Sequence, residues 1–187
     1  MVQLIWTSAQ NTHVGNRRKV NEDALLSRPE AGLWAVADGM GGHQAGDRAS
    51  RAIVDGLTRL NLATDLGCSV DAVEDCLVGV NDALRLAGRT EFRGQTIGST
   101  VVAFISRGSV GVALWAGDSR LYRLRGGELE QMSRDHNPLC DLIDSGGITE
   151  AEALAVDTNV VTRAVGGHAD LHLDVAVFDI ADGDAYL

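Results

Sequence analysis

Residues 33–50, LWAVADGMGGHQAGDRAS, join three kinds of local structure in one stretch. Leu33 to Ala37 reads as a short apolar strand that delivers a carboxylate, Asp38, at its end. Glycines follow at 39, 41, 42 and 46, and a helix rich in small residues begins among them. A strand end holds a carboxylate on stiff backbone, and glycine lets main chain come close to an ion or an oxyanion. That combination suits a hard cation held by oxygen ligands. It is not the phosphate loop of nucleotide hydrolases, because no Gly-Lys-Ser/Thr follows, and the glycine spacing is not GxGxxG. Taken alone, the segment reads first as a tight strand-to-helix turn, so its neighbours decide.

Before it lies RRKVNEDA, residues 17–24, with Arg17, Arg18 and the adjacent carboxylates Glu22 and Asp23. Ala24-Leu25-Leu26 opens a strand, and neighbouring strand residues point to opposite faces. One carboxylate can thus face a site while the other caps or meets solvent. A solvated charged turn is the plain alternative. Further on, VALWAGDSRLYRL, residues 112–124, repeats the first design: an apolar run ends in Gly117-Asp118, and a second strand leaves from it. A divalent-metal site built from strand-end carboxylates would look like this.

In order and spacing these segments resemble the metal-dependent, type 2C serine/threonine protein phosphatases, and more closely the bacterial single-domain members. The likeness rests on Arg18-x-x-Asn21-Glu22-Asp23, Ala37-Asp38-Gly39-Met40-Gly41-Gly42-His43 and Gly98-Ser99-Thr100. It continues through Ala116-Gly117-Asp118-Ser119-Arg120, Arg134-Asp135-His136-Asn137 and Val161-Thr162-Arg163-Ala164-Val165-Gly166. The resemblance implies that Asp38 bridges two Mg²⁺ or Mn²⁺ ions, with the Gly39 carbonyl as a further ligand. Glu22 and Asp23 would hold metal-bound waters, and Asp118 would serve a third, weaker metal site. Arg18 would grip the substrate phosphate with its planar fork. His43 is the candidate general acid for the leaving oxygen; some relatives carry a histidine directly after Asp-Gly, where this chain has Met40. A water between two divalent ions loses its proton near neutral pH and attacks phosphorus in line, with no covalent enzyme intermediate. The implied substrate is a phosphoprotein, and the implied opponent a bacterial serine/threonine kinase. The GLWAVADGMGGHQAGD string is similar to phosphatases associated with type VI secretion.

Composition is compatible with this. The chain has 187 residues, 45% of them hydrophobic and 22% charged, as in one soluble globular domain. A net charge of −10 argues against general nucleic-acid binding. No apolar run approaches the ~18 residues of a membrane helix. Cys68, Cys76 and Cys140 are an odd set without zinc or Cys-x5-Arg spacing, and read as small hydrophobes in a reducing, cytoplasmic setting. A monomer is expected.

The elements expected are strands over 1–9, 24–28 and 33–37, and a helix over 45–62. A second helix would be capped by Ser69, with Ala72, Val73, Cys76, Leu77, Val80, Ala83, Leu84 and Ala87 as its buried stripe. Strands over 100–106, 110–116 and 120–124 follow, and Gly126-Gly127 turns a hairpin into 128–132. Residues 137–157 resemble the family's flap beside the active site, with Pro138 opening one short helix and a Thr149–Glu152 capping box opening another. His136 and His168 are expected to lack nearby partners of metal-ligand type and read as structural or exposed. Residues 171–180 read as a strand with Leu171, Leu173, Val175 and Val177 on its buried face. Strands and helices in this order argue α+β with antiparallel sheets. The resemblance sharpens this to a central antiparallel β-sandwich flanked by helices on both sides, lacking its last strands.

In the family, the strand reached at Asp184–Leu187 continues into Ser-Asp-Gly and later Asp-Asn elements that supply further metal carboxylates. Neither is in this sequence. The expectation is therefore one domain over 1–187, incomplete at its C-terminus, belonging to a phosphatase but weak or inactive by itself. The alternative is a non-catalytic phosphatase-like binding module, and a third reading is a hydrolase of small phosphoesters.

Overall fold

Alternation in Val101–Arg107 (β4) and Val110–Ala116 (β5) divides the molecule into two cores. Val101, Ala103, Ile105, Val112, Leu114 and Ala116 point one way, into a helix-covered core. Val102, Phe104, Ala113 and Trp115 point the other way, into a second core between two sheets. A strand has a side-chain period of two, so one apolar run can serve both cores. The protein is described here by a computed structural model covering residues 4–16, 19–41, 45–149, 152 and 160–187.

β1 (Asp23–Arg28) and β2 (Leu33–Met40) form a hairpin through a single 3-10 turn, Pro29–Ala31. Helices α1 (Ala45–Thr58) and α2 (Leu66–Thr90) follow. Then come β3 (Gly98–Ser99), β4, β5, β6 (Tyr122–Arg125), β7 (Glu128–Gln131), α3 (Pro138–Asp144), β8 (Asp174–Asp179) and β9 (Ala185–Tyr186). The larger sheet has the order β1-β2-β4-β5-β8, with β3 paired to the end of β2, and the smaller sheet has the order β7-β6-β9. Every pairing is antiparallel. The class is α+β, as expected, and the layers run helix pair, larger sheet, smaller sheet.

Ile53, Leu57, Val73, Leu77 and Leu84 from α1 and α2 are buried against the larger sheet. Most of the few aromatic side chains gather between the sheets, where Phe104 stacks on Trp34, Phe178 and Tyr186, and Trp6 meets its edge.

Several expectations are corrected. Residues 4–9 join no ladder, although Leu4 and Trp6 pack into the inter-sheet core. β2 continues past Ala37 to Met40 because β3 pairs with Gly39 and Met40, so Asp38 lies within the ladder. α1 stops at Thr58, where the Arg28 guanidinium donates to the carbonyls of Leu57, Thr58 and Leu60, consistent with a cation at a helix C-terminus. The N-cap of α2 is Asp65, whose side chain accepts from the Cys68 amide. Ser69 is buried in the first turn and donates to the Ala63 and Asp65 carbonyls. Of the predicted stripe, Val73, Leu77, Leu84 and Ala87 are buried, whereas Ala83 is exposed. On β8 the faces are reversed: Val175 and Val177 are 50% and 69% exposed, while Ala176 and Phe178 pack between the sheets. Leu171 and Leu173, before the strand, pack on the helix-side core as expected. The Thr149–Glu152 capping box forms, and most of 150–159 lies outside the described residues.

Candidate metal centre

Asp23 and Asp38 are register partners on the last rung of the β1–β2 ladder, and both are exposed. Two carboxylates thus stand opposite each other on one sheet face at the end of the hairpin, the kind of oxygen donor a divalent cation takes. Glu22, one residue earlier, turns to the helix side and is 8% exposed. Its carboxylate lies against the start of α1, where a Cβ on Gly46 would stand 2.5 Å from Glu22 Oε1. Its carbonyl accepts from the Gly39 amide at 3.0 Å, and a Cβ on Gly39 would meet the Gly46 carbonyl at 2.0 Å. The two glycines are thus required by close approach, which lets one strand end, one helix start and one carboxylate share a space. The sequence expectation that Glu22 and Asp23 divide between two faces holds.

Behind Asp38 the main chain is held from three directions. The Asp38 amide donates to Thr100 Oγ1 at 3.1 Å, the Thr100 amide donates to the Asp38 carbonyl at 2.9 Å, and Ser99 Oγ donates to that carbonyl at 3.0 Å. Ser99 in turn exchanges backbone hydrogen bonds with Val165, at 3.0 and 2.9 Å. Thr100 Oγ1 also lies 2.6 Å from Ser119 Oγ, which ties the Gly117–Ser119 turn to Asp38. Asp118 sits on that turn and is exposed. Gly117 has φ +117°, and a Cβ there would meet Thr100 Cβ at 2.5 Å, so the turn closes only on glycine.

The Arg134–Asn137 segment supports the same turn. Asp135 takes a bidentate pair from Arg120, at 2.8 and 2.6 Å. The Arg134 carbonyl accepts from Trp115 Nε1, and Asn137 caps α3 by accepting from the Cys140 amide. His136 is 4% exposed and does have a carboxylate partner, Asp174, with Nε2 3.2 Å from Asp174 Oδ2. Burial alone would raise the Asp174 carboxyl, but the hydrogen bond from His136 and the Arg163 guanidinium beside it hold it below the usual range.

The structure therefore links described residues of all six sequence segments around Asp38, Gly39, Glu22, Asp23 and Asp118. Of the remaining predicted site residues, Arg18 and His43 lie outside the described residues. Among the described residues, no three His, Cys, Asp or Glu side chains converge as a metal-binding cluster. The donors that do meet, carboxylates and backbone carbonyls, are all oxygen, which fits a hard divalent cation in kind. Thr100, Ser119 and His136 stand within the sequence motifs without a site role there, and Asp174 stands outside them. Their signal is a hydrogen bond across tens of residues, which local patterning does not carry. Among the described residues, no helix is long and apolar enough to cross a membrane.

A family model described as protein phosphatase 2C matches residues 11–144. The serine/threonine protein phosphatase PstP of Mycobacterium tuberculosis is 32% identical over 187 residues, which is all of this chain and 36% of PstP. The chain thus spans about a third of that curated relative's length. The solved structure of PppA, described as a key regulatory component of T6SS in Pseudomonas aeruginosa, is 50% identical. It superposes with a TM-score of 0.83 over 93% of this chain and 72% of that one. The catalytic domain of PstP solved with two manganese ions is 32% identical, with a TM-score of 0.78 over 94% of this chain and 73% of that one.

Proposed function

We propose that this chain, which belongs to the protein phosphatase 2C family, is the site-bearing part of an enzyme that hydrolyses phosphoserine and phosphothreonine in proteins. The observation that carries the reading is the Asp23–Asp38 rung, two opposed carboxylates with Gly39, Glu22 and Gly46 packed behind them. A divalent cation held there would supply a water acidic enough to attack phosphorus and would offset the charge that grows on the phosphoryl oxygens. Asp38 and the Gly39 carbonyl would hold Mg²⁺ or Mn²⁺. Two ions are inferred from the manganese complex of the relative, and Asp118 is assigned to a further, weaker one. Glu22 and Asp23 would orient waters through their carboxylates.

Arg18 is assigned to the substrate phosphate because its fork can donate twice to phosphoryl oxygens. His43 is assigned to protonate the leaving serine or threonine oxygen. Residues 137–157, which follow His136 directly, are inferred to shape substrate choice. The substrate class is a phosphoprotein under the control of a serine/threonine kinase, and the likeness to PppA supports a place in type VI secretion. Three free cysteines, Cys68, Cys76 and Cys140, suit a reducing cytoplasmic compartment.

The test is Mn²⁺-dependent release of phosphate from a phosphothreonine peptide, with a small phosphoester as comparison. Asp38→Ala should lower the rate by more than about 100-fold, beyond the ~10–100-fold seen when a group that only supports a ligand is lost. Undiminished turnover in Asp38→Ala would overturn the assignment.

A further inference from the structure

The Gly117–Asp118 turn is gripped from both sides by one residue. The Gly117 amide donates to His136 Nδ1 at 3.0 Å, and the His136 amide donates to the Gly117 carbonyl at 2.9 Å. A side chain and a backbone of the same histidine thus satisfy both polar groups of a glycine whose own conformation is left-handed, with φ +117°. Because Nδ1 accepts, the ring proton belongs on Nε2, where Asp174 Oδ2 lies 3.2 Å away. Asp174 is itself held by Arg163, whose Nη1 donates to Oδ1 at 2.6 Å. It sits at the first position of β8, opposite Trp115 on β5. The Trp115 ring lies nearly parallel to the imidazole, 13° apart at 6.3 Å. The His136 carbonyl accepts from the Thr162 amide, so its backbone is anchored as well.

We infer that His136 is a positioning residue for the reaction. Its Nδ1 fixes the Gly117–Asp118 turn so that the Asp118 carboxylate is presented beside Asp38, and Asp174 fixes the histidine tautomer that makes this possible. The inference rests on the phosphatase reading above. Its physical content is narrow. A glycine turn between two strands has many accessible conformers, and an exposed aspartate on it would lose much of its value as an ion ligand if the turn were free to rotate. The imidazole removes that freedom by an acceptor placed on one amide. From the other side, Ser119 is tied through Thr100 to the Asp38 main chain, so the turn has a fixed place relative to Asp38. A purely structural histidine would contribute to stability and leave the metal dependence unchanged.

Two substitutions separate the roles of the two ring nitrogens. His136→Asn keeps an oxygen near the Nδ1 position and loses the reach to Asp174. His136→Gln keeps an amide near the Nε2 position and leaves the Gly117 amide without its acceptor. In His136→Gln the Mn²⁺ concentration giving half-maximal phosphopeptide hydrolysis should rise about 10–100-fold, with kcat at saturating Mn²⁺ within about 3-fold of wild type. His136→Asn should restore half-activation to within about 3-fold. In an Asp118→Asn background the shift caused by His136→Gln should vanish, because the histidine acts through that carboxylate.

An independent reading uses the metal-free protein. Hydrogen exchange at the Gly117 amide should be at least about 10-fold faster in His136→Gln than in wild type or His136→Asn. Wild-type metal dependence in His136→Gln would overturn the inference, as would a shift that persists in the Asp118→Asn background. Equal exchange at Gly117 in all three proteins would overturn it too. If even the full-length protein that carries these residues releases no phosphate at any Mn²⁺ concentration, the phosphatase reading falls instead, and the exchange measurement still decides whether His136 holds the turn.

Discussion

At the scale of single residues, identical substitutions at two helical glycines should have opposite effects. Gly79, in the exposed middle of α2, has nothing within 4 Å of an added Cβ. Gly79→Ala should therefore stabilise by about 0.5–1 kcal/mol, the ordinary gain from replacing glycine within a helix. Gly46 is also helical, but its Cβ would stand 2.5 Å from Glu22 Oε1 and 2.8 Å from the Gly39 carbonyl carbon. Gly46→Ala should destabilise by about 1–3 kcal/mol and raise the Mn²⁺ requirement, since relief of the clash must displace Glu22 or the strand behind Asp38. Urea unfolding of both variants with Mn²⁺ titrations checks the pair, and a stabilised Gly46→Ala would refute the close-approach account. Asp38 and Gly39 were legible in the sequence because a carboxylate and glycines at the end of an apolar run are a local pattern. Thr100 was not, because its work is a side-chain bond to an amide 62 residues away.

Among elements, the instructive case is β8. Period-two alternation from Leu171 onward correctly announced a strand, but alternation cannot say which of two apolar faces is covered. Leu171 and Leu173 do pack on the helix-side core, yet the strand itself buries the opposite set, Ala176 and Phe178, beside Phe104 and Tyr186. The two long helices were read more surely, because 14 and 25 residues of stripe average out local exceptions. Their ends were misplaced where a distant group decided them, as Arg28 does for α1. One such distant tie is open to test. Asn81, fully buried on α2, accepts from the Gly166 amide at 2.7 Å and donates to the His168 carbonyl at 3.1 Å. Asn81→Ala leaves a buried amide without its acceptor and should cost about 2–4 kcal/mol in urea unfolding.

Over the whole molecule, the two sheets are joined at one edge by charge as well as by aromatic packing. Arg125 on β6 forms two bonds of 2.7 Å with Asp184 and another of 2.8 Å with Asp179 at the end of β8. Asp184, with a side chain 1% exposed, also accepts from the Ala181 amide and the Tyr186 hydroxyl. Its carboxyl is held well below the ordinary value, first by the Arg125 hydrogen bonds. A carboxyl depressed on folding adds stability above its unfolded pKa, near 4, and loses it as pH falls towards the folded value. Asp184→Asn should therefore lower the melting temperature at pH 7 by roughly 4–8 °C, for about 2 kcal/mol, and the gap to wild type should close progressively below about pH 4. Circular-dichroism melts from pH 3 to 7 measure this, and a gap that widened on acidification would contradict the assigned ion pair.

The paired carboxylates of Asp23 and Asp38 carry a consequence for how the protein is handled. Were a divalent ion held there, a chelator would leave two carboxylates on one rung at the mouth of a hairpin, in a molecule whose net charge is already −10. Sodium chloride, by shortening the Debye length towards the width of that rung, would then screen part of what the ion had offset, and metal-free protein should melt higher in salt than in dilute buffer.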